Sequence, residues 1–421
     1  MNAKAGKKGA AEKAADKTDA VSHCEWPRFA LGDVCDVQLG KMLSPAAKRG
    51  IRPRPYLRNA NVQWDHIQTS DVSEMDFTEA EEKKFALQKG DLLVCEGGEP
   101  GRAAIWDGRI ERCCYQKALH RLRAKSGLAD SRFVLFRLWH ASFSGEFSDS
   151  MSQSTIAHLP EIRLRKLEFR LPPLAEQQRI AARLREQLAA VETARRAVES
   201  QLATAQALPA AHLRAVFEST AESKWPRRRL SEIVALLPAR SIATAGDVEV
   251  RAITSAALTE LGFNPAGIKR ARMWSHDASE SVVADGEILI ARSNTAELVG
   301  RVSIFPAQGT DVVASDLLIR IKPNPACSAK YLARFLSYLY LTGYWRERAS
   351  GASSSMKKIT RGLLDALEIP LPPLATQRTI AARLDAELSA TATLRTALEA
   401  RLKSLEALPA VLLREAFSEP A

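Results

Sequence analysis

Residues 171–189 read LPPLAEQQRIAARLREQLA, and residues 371–389 read LPPLATQRTIAARLDAELS. Twelve of these nineteen positions are identical at a single offset of 200. The match resumes downstream, where ALPA at 207–210 answers ALPA at 407–410 and Phe217 answers Phe417. Agreement at one fixed offset marks an internal repeat. Between these anchors each copy carries one apolar period. The first runs Ile180, Leu184, Leu188, Val191, Ala194, Val198, Leu202, Ala205, and the second Ile380, Leu384, Leu388, Thr391, Leu394, Leu398, Leu402, Leu405. Seven steps over 25 residues give about 3.6 residues per step, a helix with one apolar stripe. The Pro172-Pro173 pair suits a helix start, where a missing N–H forfeits no intrahelical bond. Glu176 adds favourable charge to the first turn. Pro209 and Pro409 are expected to end or kink each helix near the preceding Leu. Thirty-odd residues make a rod of roughly 50 Å. A narrow stripe that long calls for a partner helix, and the second copy supplies it.

The repeat extends into the flanking segments. WPRFALGDV at 26–34 answers WPRRRLSEI at 225–233, and Gly90-Asp91-Leu92-Leu93 answers Gly286-Glu287-Ile288-Leu289. Leu119, Arg121, Leu122 and Arg123 answer Leu318, Arg320, Ile321 and Lys322. The offset changes where loops differ in length, so two domains of one fold carry different loops, as suits one scaffold recognising two things. The resulting boundaries are a basic, disordered tail over 1–25, a first domain over 26–168, a spacer helix over 169–220, a second domain over 225–368 and a second spacer helix over 369–421. Asp91–Glu96 and Glu287–Ala291 read as buried strands after a Gly turn; Arg132–His140 and Tyr331–Tyr344 read as helices. The class is therefore α+β, without the alternation of a doubly wound sheet. The first rod must carry the chain away from the first domain and the second must return. This predicts two similar globular domains separated by two long antiparallel coiled-coil helices, pseudo-twofold, with the C-terminus near the start of the first domain.

A net charge of +11 points toward polyanionic partners. The six cysteines show no C-x-x-C and no Cys/His spacing for zinc, and the seven histidines form no H-x-x-x-H pair, so neither structural zinc nor disulfides are expected. No apolar run reaches the 18 or so residues of a membrane span, and the tail lacks the apolar core of a signal peptide. A cytoplasmic location is expected. Gly97-Gly98-Glu99-Pro100-Gly101 lacks the Lys-Ser/Thr ending of a phosphate-binding loop and reads as a turn between strands.

The paired LPPLA-x-Q motifs, PYLRNANVQW at 55–64, GDLLVCEGGEPGRAAIW at 90–106, CYQKALHRLR at 114–123 and STIAHLP at 154–160 resemble the specificity subunits of type I restriction–modification systems. The resemblance covers nearly everything from Trp26 to Phe417. Thr376 stands where the first copy has Glu176, and VRAITSAA at 250–257 where the first domain has YLRNANVQ. The resemblance implies that the globular parts are target recognition domains, each reading one half of a bipartite double-stranded DNA target. The helices are then a ruler for the non-specific gap and a seat for two modification (methyltransferase) subunits, joined by restriction/translocase subunits where a system has them. The absence of an ATP loop, of an N-P-P-[FY] methyltransferase loop and of a nuclease constellation agrees with a chain without chemistry of its own. S-adenosylmethionine, ATP and Mg²⁺ are expected in partner subunits, and no catalytic residue, cofactor or metal in this one. A coiled-coil adaptor pairing two proteins without touching DNA is the alternative.

Base discrimination needs bidentate or planar donors. In the first domain the candidates are Arg58, Asn59, Asn61, Gln116 and Lys117, with Ser154 and Thr155 near the backbone. In the second they are Arg251, Thr254, Arg292, Asn294, Lys357 and Lys358. Each is also readable as a surface or turn-stabilising polar residue, the second-domain set more so. Helix–helix packing is assigned to Ile180, Leu184, Leu188, Val191, Val198, Leu202, Ile380, Leu384, Leu388, Leu394, Leu398, Leu402 and Leu405.

Overall fold

The structure is a computed structural model and describes residues 26–147, 158–260, 262–306, 311–351 and 356–417. The chain forms two compact units. One holds the chain up to Arg195 together with the segment from Ser404, and the other holds Arg196–Lys403. Each unit thus combines one globular domain with half of one long helix and part of the other.

In the first unit the strands are β1 (Cys35–Leu39), β2 (Pro53–Leu57), β3 (Ser73–Asp76), β4 (Leu92–Cys95), β5 (Ala103–Ile105), β6 (Cys114–Tyr115) and β7 (Leu119–Ala124). They are followed by helix α1 (Ser131–Ser144) and the long helix α2 (Leu174–Phe217). An antiparallel sheet has the order β1-β7-β4-β5, and a smaller sheet has the order β3-β2-β6 with β2 and β6 parallel. Residues 28–30 pair with 168–170, closing the domain where the chain leaves for α2.

The second unit repeats every one of these pairings. Its strands are β8 (Val234–Leu237), β9 (Val248–Ile253), β10 (Ile268–Met273), β11 (Ile288–Ala291), β12 (Val302–Ile304), β13 (Val312–Ala314) and β14 (Leu318–Pro323), with helices α3 (Ala329–Leu341) and α4 (Leu374–Phe417). The sheet orders are β8-β14-β11-β12 and β10-β9-β13, with β9 and β13 parallel. Residues 227–229 pair with 368–370. The expected buried strands are β4 and β11, all of whose residues are buried. Gly90 (φ 94°) and Gly286 (φ 80°) supply the left-handed turn before each, a conformation that glycine adopts without penalty. The next residue is a buried carboxylate in both copies. Asp91 makes a two-point ion pair with Arg123, at 2.7 Å in each contact, and Glu287 one with Arg320 at 2.9 Å in each. Register makes Arg320 the counterpart of Arg121 rather than Arg123, so the same buried acid is neutralised from positions two apart.

The helix expected over Tyr331–Tyr344 is two pieces. α3 stops at Leu341, Gly343 turns at φ 86°, and a short helix follows over Tyr344–Arg348. The long helices depart further from expectation, because both run unbroken through their proline for 44 residues. The turns beyond Pro209 are held by burial: Leu213, Val216 and Phe217 enter the core of the second unit, with Phe217 5.2 Å from the Phe335 ring. Leu413 and Ala416 do the same in the first unit, where Phe417 meets Phe133 at 5.4 Å. That packing outweighs one lost backbone hydrogen bond.

Each unit shows its helix halves running in opposite directions. In the first, Ile180 and Leu184 share a core with Leu413 and Ala416. In the second, Leu213 and Phe217 share one with Ala381 and Leu384, while His212 lies beside Glu387 (3.5 Å) and Thr391 (3.4 Å). Ile180, Leu184, Val198, Leu384 and Leu398 are fully buried, and Leu188, Val191, Leu202, Ile380, Leu388, Leu402 and Leu405 are half-buried. Leu394 is a correction, since it is 45% exposed. The seam in this stretch follows i, i+4 and i+7 through Thr391, Arg395 and Leu398. A residue at i+3 from Thr391 sits about 60° to one side of it.

Candidate DNA-reading surface

Gln177 and Gln377, inside the repeated LPPLA-x-Q motif, are the most deeply buried polar side chains of the helix starts, at 0% and 1% exposure. Gln177 Nε2 donates to the carbonyls of Leu128 (2.9 Å) and Pro172 (2.8 Å), and its Oε1 accepts from Asp130 N (2.8 Å). Gln377 repeats the set with Ala326, Pro372 and Ser328. Each amide therefore fastens its long helix to the loop that launches the domain helix. The motif is the joint between reader and rod.

In the first domain, the turn at Asn59–Asn61 carries three of the candidates. Asn61 is a correction. It is 3% exposed, its Oδ1 accepts from Arg58 N (2.9 Å), and its Nδ2 donates to the carbonyls of Gln68 (3.0 Å) and Asp71 (2.8 Å). Both its donors and one acceptor site are spent holding the turn, and its burial keeps it from an outside partner. Arg58 is half-buried and its guanidinium reaches Asp71 Oδ2 at 2.7 Å. Asn59 Oδ1 accepts from Ala60 N (2.9 Å) and leaves Nδ2 beside Gly98. Gln116 and Lys117 sit against Lys41: Lys117 N donates to Lys41 O (2.8 Å), and Lys41 bridges Gln116 in parallel. Lys117 is exposed. Ser154 and Thr155 lie outside the described residues.

In the second domain the structure brings four candidates together. Ser293-Asn294 pairs antiparallel with Lys357-Lys358, and Arg292 O accepts from Ile359 N (2.9 Å) at the end of that pair. Lys358 is exposed, while Lys357 Nζ donates to Gly351 O (2.8 Å). Arg292 donates to Asp316 O (3.3 Å), and Asn294 Oδ1 accepts from Thr295 N (2.9 Å). Arg251 lies apart on β9 with Asp311 at 3.2 Å. Thr254 is again a turn residue, its Oγ1 donating to Gly267 O (2.8 Å). The turns at Asn59–Asn61 and Ser255–Ala257 equate Arg58 with Thr254, two residues from the pairing that the sequence strings suggest.

Sequence reading passed over two features. The run KMLSPAAKRGIR at 41–52 exposes Met42, Leu43 and Ile51 next to Lys48 and Arg49. Asp76 holds its end, accepting from Arg52 N at 2.7 Å; burial opposes its ionisation, but the backbone amides of residues 49–52 keep its carboxyl below the ordinary range. The second feature is β10, an edge strand that exposes Lys269, Arg270 and Arg272 where β3 carries Ser73, Glu74 and Asp76. The alternation IKRARM was the available signal for it.

Among the described residues no group of three or more His, Cys, Asp or Glu is placed to hold a metal, and no helix is long and apolar enough to cross a membrane. Burial pushes the thiols of Cys35 and Cys113 up to about 12 and that of Cys95 to about 11, which leaves them inert packing residues.

No curated protein sequence matches the chain. Among solved structures, a chain from a study of complex assembly and conformational transition of the type I R-M system is 19% identical. It aligns over 93% of this chain and 97% of its own, with a TM-score of 0.70. The HsdS subunit from Thermoanaerobacter tengcongensis is 18% identical over 93% and 96%, with a TM-score of 0.61. These likenesses establish the fold. The family model for the type I restriction modification DNA specificity domain matches residues 24–199 and 271–404. With the model matched over most of the chain and across both copies of the repeated motif, the chain belongs to the type I restriction modification DNA specificity domain family.

Proposed function

We propose that this chain is the DNA sequence-recognition subunit of a type I restriction–modification complex, reading a bipartite target with one domain per half. The observation that carries this reading is the duplication itself. Two domains with identical strand order present different side chains at equivalent places, Arg58 against Thr254 and Gln116 against Ser315, on a repeated frame fastened by Gln177 and Gln377. A single recognition task would not need two unlike readers.

In this reading the chain performs no chemistry. Two methyltransferase subunits bring S-adenosylmethionine and take an adenine out of the duplex, while ATP and Mg²⁺ serve a motor-nuclease subunit in a system that restricts. The complex works in the cytoplasm. Exposed cations such as Lys117 and Lys358 supply phosphate contacts, so affinity falls with salt at a slope of about −0.9 per phosphate contacted. The test is a salt titration of the assembled complex on random duplex, followed by methylation mapping in the host genome. A steep slope and one bipartite methylated motif support the reading. A flat slope favours an adaptor that joins two proteins.

A further inference from the structure

Lys41 is nearly buried, and its Nζ donates to Glu81 Oε2 (2.6 Å) and to Asp76 O (2.7 Å). The next turn is capped by Ser44 and ends where Asp76 takes up Arg52 N. The loop is therefore anchored at both ends. Between them it exposes Met42, Leu43 and Ile51 alongside Lys48 and Arg49, with Leu43 41% exposed. Gly40 lets this loop lie against the backbone at Gln116, because a Cβ there would fall 2.3 Å from Gln116 O. The second domain has the same arrangement. Arg240 bridges Ser315 as Lys41 bridges Gln116, and Asp316 N donates to Arg240 O as Lys117 N donates to Lys41 O. Two residues past each bridging cation stands an exposed aliphatic, Leu43 in one copy and Ile242, 44% exposed, in the other.

A single exposed aliphatic is ordinary, but one repeated at an equivalent place of both domains, on an anchored loop, marks a position that the shared scaffold keeps in water. The surroundings name the occupant. Lys41, two residues before Leu43, bridges Gln116, and the exposed cations Lys48, Arg49 and Lys117 stand on the same loop or next to that bridge; two residues before Ile242, Arg240 is held in an ion pair by Glu280 (2.6 Å), and Ala243 N donates to the carbonyl of Arg272 (2.9 Å) on β10, which exposes Lys269, Arg270 and Arg272. Cations at the rim and an apolar tip suit a nucleic-acid duplex, where phosphates meet the rim and an aliphatic group meets base edges.

We propose that Leu43 and Ile242 are the apolar base contacts of the two readers, each setting base preference in its own half of the target. This rests on the DNA-reading function proposed above. Both side chains are exposed, so truncation leaves the cores intact.

The experiment uses the full chain assembled with its methyltransferase subunits, the duplex defined by methylation mapping and a random duplex of equal length. Leu43→Ala weakens target binding about tenfold, the scale of one mismatched base pair, leaves random-duplex binding and its salt slope unchanged, and relaxes the methylated motif in one half only. Ile242→Ala relaxes the other half only, and Leu43→Ile retains target binding. Unchanged target affinity, equal loss on both duplexes, or failure of the variants to assemble with the methyltransferase subunits (a protein-docking face) each overturns the proposal. In all three cases a wild-type complex that still separates target from random duplex leaves the DNA-reading function standing; a wild-type complex that does not separate them removes that function as well.

Discussion

Gln177 shows at the level of one side chain why the repeated motif recurs. Its amide makes three hydrogen bonds at 0% exposure, and truncation to Ala strands a buried amide N–H and two carbonyls. At about 1–3 kcal/mol for a buried group left unpaired, Gln177→Ala is expected to destabilise the first unit by about 2–4 kcal/mol, checked by urea denaturation. Exposed Gln178 replaced by Ala is expected to change stability by less than about 0.5 kcal/mol. Glu82 offers a second residue-level test. Hydrogen bonds from Arg112 and Arg54 hold its carboxyl at about 2, below its ordinary 4.5. A depressed carboxyl contributes stability that is complete above about 4.5 and lost as pH falls toward 2. Glu82→Gln should therefore narrow the stability gap to wild type across that window and leave it constant at neutral pH. Polar residues were the least legible part of the sequence. Asn61 and Asn59 stand two apart in one motif, yet the first is buried in its own turn and the second is half-buried with its amide nitrogen beside Gly98. Nothing in the residue types distinguishes an inward amide from an outward one.

Whole elements were far more legible, because the repeat counted every one twice and hydrophobic periodicity needs no partner to be seen. The strands after Gly90 and Gly286 and both long helices were readable in this way. What failed was local and has physical causes. Pro209 was expected to end or kink a helix that continues for two turns, since its cost is met by Leu213 and Phe217 in a core the local sequence does not announce. Pro209→Ala restores the missing bond and is expected to stabilise the second unit by about 1–3 kcal/mol, measured as a rise in the denaturation midpoint. Leu394 was assigned to the seam by counting threes and fours, but a stripe of 3.6 residues per turn has two edges and only one faces a partner. Leu394→Lys should leave stability within about 0.5 kcal/mol of wild type, while Leu384→Ala, at a fully buried position, should cost about 2–5 kcal/mol.

For the molecule as a whole, the account makes the chain a doubled reader, and each long helix passes from one compact unit into the other. The family, the α+β class and the two-domain order were readable from the repeat. The base contacts proposed above were not, because they are placed on loops such as 41–52 whose exposure only the folded structure reveals. The central claim is that helix length sets the gap between half-sites while the domains set the half-sites themselves. Four residues inserted after Ala194 lengthen α2 by about 6 Å and just over one turn. Methylation mapping of a host carrying this variant should show a wider gap between two unchanged half-sites. Altered half-sites across an unchanged gap would contradict the account.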